Sequence, residues 1–186
     1  MFYQCSNNTK VLCNKNFNAK VYLFIISVFY DTSFYCDIKP NDKYKMYNLY
    51  IQNVEKMDRK TFYKYYQCII DNNLIYEYNG VLRLNICGDM RYLLNTSIVD
   101  TLLRECNNLT IQLYLYLFFL QPQDYTEKVY FFLSDFVEFS GRPRGTSGTR
   151  TAARESLKYL IDKGIVECEF HEGARCGTKK RLFKVH

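Results

Sequence analysis

Two dense apolar runs organise the chain. "KVYLFIISVFY" spans Lys20–Tyr30 and "IQLYLYLFFL" spans Ile111–Leu120. Each is expected as a buried helix. From Val21 the first run is well short of the roughly 20 residues that a membrane span requires. The second is expected to start near Thr110, whose hydroxyl suits an N-cap. A short β-rich stretch follows each run, "SFYCDI" at Ser33–Ile38 and "KVYFF" at Lys128–Phe132. Second helices are expected over Asp42–Gln52, after Pro40-Asn41, and over Ser134–Ser140. Further on, Ala153, Leu157, Leu160, Ile161 and Ile165 recur at three- and four-residue spacing, the stripe of an amphipathic helix. Gly164, able to take the left-handed conformation, ends that helix. Two strands complete each set. In "LIYEYNGVLRLN" the Asn79-Gly80 pair marks a tight hairpin, whereas "IVECEF" and "KRLFKV" are separated by a longer loop.

The two sets are copies of one pattern. "TFYKYYQCIIDNNLIYEY" (Thr61–Tyr78) resembles "AARESLKYLIDKGIVECEF" (Ala152–Phe170), and Ile161 lies 91 positions after Ile70. At that offset Arg59 meets Arg150, Ile69 meets Leu160 and Leu74 meets Ile165. The apolar runs match at nearly the same offset. Third helices are therefore expected over Thr61–Asn73 and Arg150–Lys163. Between the copies, "TSIVDTLLREC" reads as a linking helix capped by Thr96 or Ser97, with Val99, Leu102, Leu103 and Cys106 on its apolar face. The expected fold class is mainly α with small β-hairpins (α+β). The expected organisation is an N-terminal arm over residues 1–18, one unit over 19–87, a linker helix over 88–108 and a second unit over 109–186.

Helix, strand, helix, turn, helix and β-hairpin is the order of the winged helix-turn-helix. The resemblance is sharpest over Thr110–His186, where "FLSDFVEFS" followed by "TRTAARESLKYLIDKGIVE" looks like the second and third helices of that family. With two such units in tandem, the chain resembles the winged-helix replication initiators of plasmids and phages. It is also similar to replisome organisers and regulators of mobile elements. In winged-helix proteins the turn and the first half of the third helix enter the major groove of DNA.

Charge sharpens this expectation. The formal net charge is +6, and residues 141–186 hold eleven Lys and Arg against five Asp and Glu. The whole excess therefore lies in the last quarter of the chain, and a localised basic region attracts a polyanion. Subtracting the buried stripe leaves Arg150, Thr151, Arg154 and Lys158 on the outer face of the last long helix, with Thr149 at its start. Arginine reads guanine well because its fork matches the two acceptors on the base edge. Arg142 and Arg144 lie on the preceding loop, where Gly141, Gly145 and Gly148 permit close approach. Arg175, Lys179, Lys180 and Arg181 lie on the second wing and suit phosphate or an adjacent minor groove. The first copy offers Arg59, Lys60 and Lys64, together with Lys56, but interleaves them with Tyr63, Tyr65 and Tyr66. It reads equally well as a weaker DNA reader or a protein-contact unit.

Other chemistry has little footing. Eight cysteines without an apolar leader point to a reducing, cytoplasmic setting with buried thiols. Cys168, His171 and Cys176 have metal-like spacing without a fourth ligand, so no metal and no cofactor is expected. No P-loop, nucleophile elbow or dinucleotide turn occurs, and only two histidines are present. Asp135 and Glu138 read as second-helix residues. No enzyme is expected. The leading expectation is a sequence-specific double-stranded DNA-binding protein of a plasmid or phage, serving replication initiation or transcription control. The chain itself, as a homodimer, or a host protein is a further candidate partner; a membrane is not. The alternative is a protein-binding winged helix, such as an inhibitor of a host defence nucleoprotein complex.

Overall fold

A computed structural model of the chain describes residues 2–6, 9–30, 43–78, 81–85, 91–121, 129–140, 147–172 and 179–186. The protein is mainly α-helical with a few short strands. It divides into two compact units, one comprising Met1–Val11 and Asn16–Cys106, the other Leu12–Lys15 and Asn107–His186.

The first unit begins with strand β1 (Phe2–Ser6), and a single turn of helix, α1 (Thr9–Leu12), follows, its last residue grouping with the second unit. Helix α2 (Ala19–Tyr30) follows, its first turn capped by Asn18, whose Oδ1 accepts from the Val21 amide. Apolar residues occupy every side of α2, so it is buried all round, as such a helix must be. Its one described charge, Lys20, is buried too and meets Glu55 at 2.9 Å, while the Tyr50 hydroxyl donates to the same carboxylate. Helices α3 (Lys43–Asn53) and α4 (Arg59–Asp71) pack next, followed by strands β2 (Ile75–Tyr78) and β3 (Val81–Leu84), which pair antiparallel. Tyr50 joins the layers, with its ring 5.2 Å from both Phe24 and Phe62. Strand β4 (Arg91–Asn95) runs into helix α5 (Thr96–Glu105).

Two expectations change here. The first 18 residues are more than an arm, because β1 pairs antiparallel with β4, Tyr3 opposite the buried Leu94. The Asn- and Lys-rich composition hid a short β-forming run, "FYQCS". Helix α5 groups with the first unit rather than standing as a linker: Val99, Leu102, Leu103 and Cys106 are buried and the helix packs against α2. Its cap is Asn95, accepting from the Ser97 amide, not Thr96 or Ser97.

In the second unit, helix α6 (Asn108–Leu120) is buried from Leu109 to Phe119. It is capped by Asn107 and not by Thr110. Thr110 instead gives its amide to Asn107 and shares its hydroxyl with Asn107 and, at 2.9 Å, Ser156. Strand β5 (Val129–Phe131), helix α7 (Leu133–Phe139), helix α8 (Ser147–Asp162), strand β6 (Val166–Glu172) and strand β7 (Lys179–Val185) complete it. The strands form an antiparallel sheet in the order β5-β7-β6, with Phe131 opposite Arg181 and Cys168 opposite Phe183. Gln121 ties the first helix to the sheet by accepting from the Val185 amide.

The 91-residue offset recurs in backbone detail. Asn73 and Gly164 both have positive φ, 54° and 67°. At the first turn Asn73 donates to Ile70 and Leu74 to Ile69; at the second Gly164 donates to Ile161 and Ile165 to Leu160. These are the paired hydrogen bonds that close a helix through a left-handed residue. The hairpins close alike, Asn85 donating to Leu74 and His186 to Ile165. The expected strand at Ser33–Ile38 and the Asn79-Gly80 turn lie outside the described residues.

Candidate nucleic-acid interface

Helix α8 begins at Ser147, one turn earlier than expected. Gly148 therefore lies within the helix rather than on the loop before it, and a Cβ there would meet nothing within 4 Å. The inward row is Ala153, Ser156, Leu157 and Leu160, all buried against the unit's core, while Ile161 is only half-buried. The opposite row is Arg150, Thr151, Arg154 and Lys158, all exposed. Three cations thus share one side of the helix between Arg150 and Lys158, interrupted by the exposed Glu155. Thr149 is half-buried and so sits at the edge of that face.

Strand β7 carries the backbone of Lys179, Lys180 and Arg181, opposite Glu172, His171 and Phe170 of β6. Arg142, Arg144, Arg175 and the loop glycines Gly141 and Gly145 lie outside the described residues. The structure therefore brings Arg150, Thr151, Arg154 and Lys158 together on one face, and adds the β7 backbone within the same unit.

The first unit repeats the arrangement with different chemistry. Arg59, Lys60 and Lys64 are exposed on α4, and Lys56 is exposed just before it. Asp58 caps α4, its Oδ2 accepting from the Thr61 amide at 2.7 Å. Hydrogen bonds from Thr61 hold its carboxyl below the usual range, with Lys60 assisting. At the 91-residue offset Tyr63 replaces Arg154, Lys64 replaces Glu155 and Gln67 replaces Lys158. Tyr66 points inward and is fully buried, where burial pushes its phenol up to about 12. Sequence reasoning passed over Tyr44, which is 57% exposed on α3. The signal for it is "KYK" at Lys43–Lys45, an aromatic between two cations at a helix start.

No protein family, no curated protein and no solved structure matches the chain. Among the described residues no group of three or more His, Cys, Asp and Glu could hold a metal ion. No helix among them is long and apolar enough to cross a membrane.

Proposed function

We propose that the second unit is a winged helix that binds double-stranded DNA, with α8 as the recognition helix in the major groove and β6–β7 as the wing. The observation that carries this reading is the exposed row Arg150, Thr151, Arg154 and Lys158, set opposite the buried row Ala153, Ser156, Leu157 and Leu160. The element order α6, β5, α7, α8, β6, β7 and the strand order β5-β7-β6 support it. A helix with one apolar and one basic face can seat on its own core and still offer its full outer side to a duplex. Arg150 and Arg154 lie in the first two turns of that side and read base edges. Lys179, Lys180 and Arg181 meet the sugar-phosphate backbone beside the groove. The biological setting that fits is replication initiation or transcription control on a plasmid or phage, and the first unit is proposed as a second winged helix.

The test is selection of duplexes from a random pool, followed by titration of the preferred site. Arg150→Ala and Arg154→Ala should each lose about 1–3 kcal/mol on that site and relax preference at one position. If both variants bind the selected site as the parent does, the duplex-reading assignment fails and a protein partner takes its place.

A further inference from the structure

The first unit carries a surface that duplex reading does not use. On the outer side of α4, Arg59, Lys60 and Lys64 are exposed. Tyr63 lies among them, half-buried, at the position where the second unit has Arg154. Its ring is held rather than free to swing. Tyr47 of α3 lies against it at 6.4 Å, edge to face, and the Tyr47 hydroxyl is fixed by donating to the Met57 carbonyl at 3.0 Å. Tyr44 stands one turn earlier on α3, 57% exposed. It is flanked by Lys43, whose ammonium reaches Gln67 of α4 at 3.0 Å. The two helices adjoin through Tyr47–Tyr63 and Lys43–Gln67, and this side carries cations and phenol rings together with one carboxylate, Asp71, which accepts from Gln67 at 2.8 Å.

This composition suits one class of ligand. Cations spaced along a helix neutralise successive phosphates. A phenol has no fork to match the two acceptors of a paired base edge, which is what Arg154 offers in the second unit. Its ring face serves a base only after that base has left its stack, and then serves any base alike. A rigidly held ring loses little freedom when a base lands on it.

We propose that the α3–α4 face of the first unit binds single-stranded nucleic acid, with phosphates on Arg59, Lys60 and Lys64 and unpaired bases on Tyr44 and Tyr63. The inference goes beyond the duplex reading of the second unit and does not depend on it.

The test uses the full chain and fluorescence anisotropy with labelled oligo-dT, oligo-U and a random duplex, each about 20 nucleotides long, at several salt concentrations. Stacking of one base on an aromatic ring is worth enough that Tyr44→Ala and Tyr63→Leu should each weaken single-strand binding about tenfold. Duplex affinity should not change. Lys60→Gln should flatten the salt dependence on the single strands by about 0.7 in slope. Comparison of oligo-dT with oligo-U tells whether DNA or RNA is the source of the strand. Tyr44 is exposed, so its variant keeps the fold even if Tyr63→Leu does not. Arg150→Ala reports on duplex reading separately, and its outcome leaves this inference standing. The proposal is overturned if Tyr44→Ala and Lys60→Gln bind the single strands as the parent does. It is equally overturned if Tyr44→Ala loses duplex and single strand together, or if the parent binds neither oligonucleotide.

Discussion

Tyr66 is fully buried on α4, and its hydroxyl has no hydrogen-bond partner among the described residues. A buried polar group left unpaired costs about 1–3 kcal/mol, whereas its removal without change of shape is neutral or favourable. Tyr66→Phe should therefore stabilise the protein by about 1 kcal/mol in urea unfolding. The pH dependence has a definite sign. The folded phenol is raised from 10.0 to about 12 by burial, so between those values the unfolded chain releases a proton that the folded chain keeps. Stability must fall as pH rises through that window, by up to about 2–3 kcal/mol for this group. The Phe variant should lose that much less between pH 10 and 12, and an unchanged alkaline slope would refute the assignment. At this scale the sequence was only partly legible. Inward and outward positions of α8 followed from spacing, because apolar side chains seek the core whichever partner they meet there. Caps did not. Thr110 and Asn107 are both good N-caps, and so are Ser97 and Asn95. The choice fell to Asn107 and Asn95, at the residue where the extended backbone ends.

The helix-to-strand turns after α4 and α8 share one construction. Both close with the same pair of amide bonds around a left-handed residue, Asn73 in one and Gly164 in the other. A methyl group at Gly164 would meet nothing within 4 Å, so any cost of adding it is conformational rather than steric crowding by neighbours. Gly164→Ala should thus lower stability by about 1 kcal/mol, the penalty of placing a Cβ in that region. Asn73→Gly should raise stability slightly or leave it level, since Asn already tolerates the region less well than Gly. Urea unfolding of the two variants checks both signs, and a neutral Gly164→Ala would mean that the turn relaxes. The long helices were readable because each has its own periodicity, and the strands of the β2–β3 and β6–β7 pairs because each is a short β-rich run just after a helix. Strand β1 was not, because its partner β4 lies about 90 residues away in the chain and nothing local announces the pairing. Helix α5 showed its apolar face in sequence, but not that α2 would cover it.

Summed charge gives a coarser picture than the folded surface. Residues 1–140 balance at fourteen Lys and Arg against fourteen Asp and Glu, which assigns the basic character to the last quarter of the chain. Yet α4 exposes Arg59, Lys60 and Lys64 on one side, while Glu55 is taken up by Lys20 and Tyr50 and Asp58 by the cap of α4. A neutral sum thus contains a locally net-cationic face, on which the exposed Asp71 is the carboxylate that accompanies the three cations among the described residues of α4. The proposed duplex reading makes a quantitative demand on the other basic region. If Lys179, Lys180 and Arg181 meet phosphates, each one neutralises a charge whose condensed counterions are released on binding. Lys180→Ala should then weaken specific and random duplexes by the same factor. It should also flatten the plot of log affinity against log salt by about one unit. Arg150→Ala should instead weaken the selected duplex more than the random one. The two variants, titrated against both duplexes at four salt concentrations, separate a base reader from a phosphate contact. Equal slopes for Lys180→Ala and the parent would remove Lys180 from the proposed interface and leave the reading to rest on α8.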